Sequence, residues 1–402
     1  MYDAIIVGAR CAGSPLAMLL ARQGYKILLV DRNGPPADTI STHIVWPPGV
    51  RLLREWGLLE ALRRSGCPAL RTARLDLGDI VIRGTPAPID GIDEWYAPRR
   101  TALDPILLEA AVAAGADFQA FTVDELLFDD GRVTGIRGHR RDAAITERGK
   151  IVIGADGVRS AVARAVRAPE YNDRGTLTCW YYSYWSGVEI SGIEFYARPR
   201  YAVGGIPTHD GLVCVAVARP HAEFDAIRED VEANYLAALD VVPEFAARVR
   251  AGKREERFSG TAEVPNYFRR PYGDGWALAG DAGYHKDPVT AYGITDAFES
   301  AGLLAAAVDD GLAGRRSMME ALADYERRRN EAAMAAYDIT CQFATLEPPP
   351  PEMQPLFQAL ARNQDAANQY LGVLARTVAA PEFFAPENLA RITGQASRPA
   401  SA

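Results

Sequence analysis

Apolar positions along this chain follow two periods. Ala4, Ile5, Ile6 and Val7 form an unbroken apolar run, the pattern of a strand buried on both faces, and it enters a glycine turn. Residues 12–23 then carry helical spacing, with Leu16, Leu19 and Leu20 on one face and Gly24 as the stop. A second buried run, residues 27–30, ends at Asp31. Strand, turn, helix and strand in this order open a βαβ unit.

Further on, residues 38–43 (Asp38 to His43) read as a loop, and Pro47-Pro48-Gly49 leads into one helix over 50–64 that stops at Gly66. Arg99 to Pro105 introduces a helix over 106–114. Strands are expected over 118–121 and 132–136, around the turn residues Asp129-Asp130-Gly131, and over 151–153. From about 175 to 265 the pattern becomes strand-rich and aromatic, with a helix near 225–239 inside it. Trp276 to Ala279 is one more apolar strand. After Thr295 the spacing is mainly helical; Pro348 to Pro351 make a stiff break, and helical spacing returns over 354–360 and 366–378. The expected organisation is a discontinuous nucleotide-binding domain (1–70, 97–170 and 266–340), a sheet domain (71–96 and 171–265), a helical C-terminal segment (341–394) that acts as a lid, a dimer contact or a packed terminal hairpin, and a disordered tail (395–402).

Composition narrows the function classes. The chain has 402 residues, 48% hydrophobic and 24% charged, with a formal net charge of −8, so a nucleic-acid or anionic-membrane binder is not expected. Arg140-Arg141 and Arg327-Arg328-Arg329 are short and lie near acids, and read as solvated faces. Five scattered cysteines without a C-x-x-C spacing argue against a metal cluster or a disulfide framework. No apolar run reaches the ~18–20 residues of a membrane span. The first strand begins so early that no signal peptide is expected, which makes the cytoplasm the default location.

The glycine turn Gly8-Ala9-Arg10-Cys11-Ala12-Gly13 satisfies two of the three glycine places of a dinucleotide-binding turn. Arg10 occupies the second place. Its side chain must displace the pyrophosphate, swing aside, or neutralise a phosphate itself. Asp31 stands about 20 residues on, where an acid takes ribose hydroxyls. Downstream, Gly280-Asp281-Ala282-Gly283 ends the strand at 276–279, and Asp287-Pro288 and Tyr292-Gly293-Ile294-Thr295 follow before a helix. A helix start favours negative charge, and a carboxylate beside it can accept hydroxyl hydrogen bonds. A flavin, with an anionic reduced ring and a hydroxylated ribityl chain, presents both.

Three motifs in this order, Gly8–Gly13 with Asp31, Asp156-Gly157, and Gly280-Asp281, make the chain resemble the para-hydroxybenzoate-hydroxylase-like superfamily of single-component (class A) FAD-dependent monooxygenases. Flavin halogenases and geranylgeranyl reductases are relatives of that group. The resemblance implies an α/β fold: a Rossmann-type FAD-binding domain in three ββα layers, an inserted antiparallel-sheet substrate domain, and the helical C-terminal segment. It implies FAD contacts from Gly8, Arg10, Ala12, Gly13, Asp31, Arg32, Arg100, Gly280 and Asp281. It places Pro288 near the flavin ring, with Gly293 and Ile294 offering N–H groups to its pyrimidine edge. Asp156 either contacts FAD and reduced nicotinamide or braces the fold; the alternative is a plain turn before a helix.

NADPH or NADH is the implied electron donor and dioxygen the oxidant. A flavin hydroperoxide would then hydroxylate or epoxidise a small aromatic or apolar molecule in a site closed to water. The alternatives are a flavin-dependent reductase of an isoprenoid or other unsaturated substrate, a flavin halogenase, and a non-enzymatic nucleotide-binding protein. The halogenase Trp-x-Trp-x-Ile-Pro motif is missing, since Trp180 to Trp185 has the wrong spacing.

Alternation along that stretch puts Trp180, Tyr182 and Tyr184 on one face as candidate substrate contacts, and Tyr181, Ser183 and Trp185 on the other. Core packing is the alternative for these rings. His43 and His285 are candidate proton-handling residues beside the flavin, or else histidines bonded to loop backbone. Lys286 is a further candidate, with a lone exposed lysine the preferred reading. The oligomeric state expected is monomer or homodimer.

Overall fold

Strands that are apolar on both faces pair in parallel, where both faces can be covered. In the computed structural model, which describes residues 1–33, 39–141 and 143–394, Tyr2–Val7 lies between Ile27–Asp31 and Ala143–Gly154, parallel to both. Trp276–Leu278 adds in parallel beyond Ala143–Gly154, and Asp117–Ala120 beyond Ile27–Asp31. Ala4, Ile6, Leu29 and Ile153 face the helices Gly13–Arg22, Arg100–Ala113 and Gly293–Leu312, meeting Leu16, Leu103 and Phe298. The opposite set, Ile5, Leu28, Val30 and Val152, meets Leu126, Val133 and Ile136. Those residues belong to an antiparallel meander of Thr122–Asp129, Arg132–Arg140 and the start of Ala143–Gly154. Period-two alternation thus builds the three ββα layers.

A second sheet has the order Lys253–Arg254, Thr178–Ser186, Val213–Pro220, Tyr201–Pro207, Ile193–Arg198, Ala73–Asp76, Val81–Gly84. All its neighbours are antiparallel except Ile193–Arg198 with Ala73–Asp76. One face, including Tyr181, Trp185 and Val215, packs under the helices Val231–Leu239 and Pro243–Ala251 through Tyr235 and Phe245. The other face, with Trp180, Tyr182 and Tyr184, belongs to the same core as the nucleotide-side helices. The fold is therefore the α/β class that the motifs imply.

Several boundaries differ from the sequence expectation. The helix expected over 50–64 is two helices, Pro47–Glu55 and Leu59–Arg64, because Gly57 at φ 78° ends the first. The helix expected from 106 begins at Arg100 and contains Pro105; the proline forgoes one hydrogen bond near the helix start without breaking it. The helix near 225–239 is divided at Asp230, whose extended backbone interrupts it while its carboxylate caps the Ala233 N–H. Arg329 is not solvated: it is buried inside the helix Met318–Ala344 and donates to the Gly283 and Arg269 carbonyls.

The C-terminal helices include Gln354–Leu360, at the expected bounds, and Gln364–Leu374, capped by Asn363. They bridge the molecule. Gln364 and Asn368 bond the backbone at Arg83 and Thr85 beside the second sheet's edge strand, while Arg376 reaches the helix Gly293–Leu312. Asp38, at the start of the expected loop, and the expected tail 395–402 lie outside the described residues. Among the described residues no helix is long and apolar enough to cross a membrane.

Candidate active site

The site is built on the loops at the ends of the parallel strands. Gly8 has φ 105°, and a Cβ there would lie 2.3 Å from the Ala155 carbonyl oxygen. A Cβ on Gly13 would lie 1.8 Å from the Gly8 carbonyl oxygen. Both positions are closed to any side chain, as a turn that lets a helix pack against its strand requires. Asp31 accepts the Ala9 N–H at 3.0 Å and the Asn33 N–H at 3.0 Å, so its carboxylate stands against the glycine turn. Arg32 follows, exposed.

The first turn and the Gly280 turn meet directly. Gly280 has φ 56°, and a Cβ there would come within 2.8 Å of the Ala12 Cβ. Its N–H donates to Ser300 Oγ at 3.1 Å, and Tyr267 donates to the Asp281 carbonyl at 2.7 Å. Arg100 joins them from the helix Arg100–Ala113. It is buried and forks onto Asp104 at 2.7 and 2.9 Å. Arg10 Nε lies 3.9 Å from the same carboxylate, with its side chain 28% exposed. Two guanidinium groups on one buried carboxylate leave a surplus positive charge at the mouth of the glycine turn, which suits an anion.

Asp156 is occupied locally. It accepts from Ser160 Oγ and from the N–H groups of Ala161 and Val162, at the start of the helix Ala161–Ala165. Burial raises its pKa, opposed by these bonds. Bracing the fold is therefore its visible role.

Asp287 ties the second sheet to the turn that precedes the helix Gly293–Leu312. Its buried carboxylate accepts from Thr178 Oγ1, from Trp180 Nε1 at 3.3 Å and from the Val289 N–H at 3.0 Å, capping the 3-10 turn Pro288–Thr290. Burial pushes its pKa up to about 6, against the pull of those three donors. Pro288 is half-buried at the head of this turn, and the helix Gly293–Leu312 starts just after it. A Cβ on Gly293 would meet nothing within 4 Å, so the first turn of that helix faces open space next to the buried Ile294. Trp46 fixes this corner: its Nε1 donates to the Thr290 carbonyl at 3.1 Å and its N–H to Thr295 Oγ1 at 3.1 Å.

His43 is fully buried, at φ 64°, and its Nε2 shares a hydrogen bond with the Tyr184 hydroxyl. Tyr182 meets the imidazole edge-on at 6.4 Å. The Arg99 guanidinium sits 3.9 Å from the Tyr184 ring centre and pairs with Glu256 at 2.8 Å. His285 is differently committed: its Nδ1 donates to the Pro265 carbonyl and its ring stacks on Tyr267. Lys286 is not exposed. It is buried, bonded to Asp296 and to the Tyr284 hydroxyl, and burial lowers its pKa against the attraction of Asp296.

With this geometry in place, comparison with known proteins is decisive at the family level. The FAD binding domain family matches residues 1–340.

The chain belongs to the FAD-binding domain family. It is thereby an FAD-dependent oxidoreductase. It is similar to digeranylgeranylglycerophospholipid reductase 2 of Methanothermobacter thermautotrophicus, 28% identical over 81% of this chain and 83% of that one. It is also similar to squalene epoxidase of Candida albicans, 23% identical over 76% of this chain and 71% of that one. Among solved structures, the flavin-dependent brominase Bmp2 superposes with a TM-score of 0.84 at 19% identity, covering 98% of this chain and 97% of that one, a likeness of fold.

The residues present fit an FAD. The side-chain-free turn at Gly8 and Gly13, the surplus charge of Arg10 and Arg100, and the open first turn at Gly293 suit the pyrophosphate and ring of that cofactor. Trp46 and Asp287 escaped the sequence reading. Asp287 was visible only as the residue before Pro288, and Trp46 as the residue before Pro47-Pro48.

Proposed function

We propose that this FAD-dependent oxidoreductase is a monooxygenase acting on a small aromatic or apolar molecule, with NADPH or NADH as electron donor and dioxygen as oxidant. One observation carries the reading. The buried His43–Tyr184 pair lies on the aromatic face of Thr178–Ser186, and Asp287 ties that strand to the Pro288 turn ahead of Gly293. The pair belongs to the apolar face of the strand that Asp287 links to the turn before this helix, which supports a proton-handling role for it.

When bound, FAD supplies the electron transfer from reduced nicotinamide and the activation of dioxygen. The chain's own residues do the rest. Asp31 accepts ribose hydroxyls, Arg10 and Arg100 hold the pyrophosphate, and Asp281 takes the ribityl hydroxyls. Pro288 and the N–H groups of Gly293 and Ile294 would hold the ring, and the helix dipole there would favour negative charge on it. Trp180, Tyr182 and Tyr184 exclude water from the reacting face. His43 Nε2 and Tyr184 Oη share one proton, so the pair can take a proton from a substrate hydroxyl or return one. His285, with Nδ1 fixed to a carbonyl, has only Nε2 left for such a role.

A second reading, reduction of an isoprenoid or other unsaturated substrate, is favoured by the likeness to the archaeal reductase. A halogenase is disfavoured. The strand ending in Ile206-Pro207 has Ala202 and Gly204 at the two Trp places of the halogenase motif. The test is to reconstitute the purified chain with FAD, then to assay aromatic and isoprenoid compounds for substrate-stimulated NAD(P)H oxidation with and without dioxygen. A product carrying one oxygen atom from dioxygen supports the proposal. A saturated product formed without oxygen replaces it by the second reading.

A further inference from the structure

The family match ends at residue 340, yet the helix start that would hold the flavin ring is fastened from beyond that point. Arg376 follows the helix Gln364–Leu374 in a left-handed conformation, φ 60°, which non-glycine residues adopt at a cost. Its partly buried guanidinium bridges two carboxylates of the helix Gly293–Leu312, bonding Asp296 at 2.9 Å and Glu299 at 2.8 Å. Asp296 also receives Lys286, from the segment ahead of the Pro288 turn. Tyr292, the residue just ahead of Gly293, lies between the two cations, 5.3 Å from Lys286 and 5.6 Å from Arg376 at its ring centre. Its hydroxyl donates to the Leu374 carbonyl at 2.7 Å. Lys286, Arg376, Asp296 and Glu299 together form a neutral, largely buried cluster on the first two turns of the helix.

We propose that Arg376 is a positioning residue for the flavin: through Asp296, Glu299 and Tyr292 the C-terminal segment sets where the Gly293–Ile294 turn stands and how much negative charge that turn accepts. This rests on the reading that FAD binds there. Removing one cation from a neutral cluster in a low-dielectric site leaves a net negative charge close to the ring. An anionic reduced flavin is then disfavoured. Removing one of the carboxylates has the opposite sign. Simple loosening of the C-terminal segment has no such sign reversal.

The experiment uses the full chain, with FAD affinity measured by fluorescence titration and the midpoint potential of bound flavin measured against a reference dye. Arg376→Met is expected to weaken FAD binding about tenfold or more and to lower the potential. Arg376→Lys restores part of both, and Asp296→Asn raises the potential. Gln364→Ala removes one of the segment's fastenings at its far end and leaves the potential unchanged. Tyr292→Phe, which removes only the bond to Leu374, weakens FAD binding and carries the test if Arg376→Met does not fold. The proposal is overturned if wild-type protein binds FAD but the Arg376 and Asp296 variants shift the potential in the same direction or not at all. It is also overturned if Gln364→Ala reproduces Arg376→Met. Failure of the wild-type chain to bind FAD overturns the cofactor reading beneath it, a separate outcome.

Discussion

Asp287→Asn should make the protein more stable near neutral pH and lose most of that advantage in acid. The carboxylate is 1% exposed, and its pKa is raised by burial from 3.8 to about 6. That difference corresponds to roughly 3 kcal/mol of ionisation cost carried by the folded state. Because the folded-state pKa lies above the unfolded one, the native state holds more protons between about pH 4 and 6. The contribution of this group is therefore most favourable below about pH 4 and is lost as pH rises through 6. Asparagine keeps the shape and the bonds: its carbonyl oxygen can accept from Trp180 Nε1 and the Val289 N–H, which share one carboxylate oxygen now, and its amide can donate to Thr178 Oγ1. Urea unfolding followed by tryptophan fluorescence should show the variant more stable by about 3 kcal/mol near pH 7.5 and by about 1 kcal/mol near pH 4.5. All other titrating groups are common to both proteins and cancel in the difference. A stability difference independent of pH, or a variant less stable than wild type near pH 7.5, would refute the argument.

Gly13→Ala places a methyl group against the Gly8 carbonyl, so it should abolish flavin uptake or lower stability by ~1–3 kcal/mol, read by flavin absorbance and urea unfolding; an unaltered yellow protein would count against the glycine-turn geometry. His43→Ala and Tyr184→Phe should each leave FAD bound and cut turnover about 10²–10⁴-fold, with the double variant no worse than either single one, because the two groups share one proton. Additive losses in steady-state kinetics would separate their roles. Arg100→Ala leaves Asp104 buried without its forked partner, with Arg10 at 3.9 Å, and should cost ~3–5 kcal/mol of stability. Arg10→Ala should spare stability but weaken FAD binding and flatten its dependence on salt, measured by titration at two ionic strengths.

What the sequence announces and what it hides divide along a physical line. Gly8, Gly13 and Gly280 were legible because part of their requirement is local: a positive φ at Gly8 and Gly280, and at Gly13 the carbonyl of Gly8 five residues back. The parallel strands were legible because burial on both faces leaves an unbroken apolar run. Alternation likewise assigned Trp180, Tyr182 and Tyr184 to one face correctly. Polar side chains obey no such local rule. Lys286 looks like any surface lysine until Asp296, ten residues on, is turned toward it, and Asp296 is held in turn by Arg376, 80 residues on. Asp287 has its pKa raised by burial, and the side chains of Thr178 and Trp180 that oppose the rise stand 109 and 107 residues away, while His43 meets Tyr184 across 141 residues. The chain therefore advertises its cofactor turn through backbone constraints, whereas the groups that tune charge around the cofactor are set by long-range folding. The charges on the first turns of the helix Gly293–Leu312 are accordingly set by pairs that cross between segments, and the C-terminal segment, which carries no flavin motif of its own, supplies Arg376 to them.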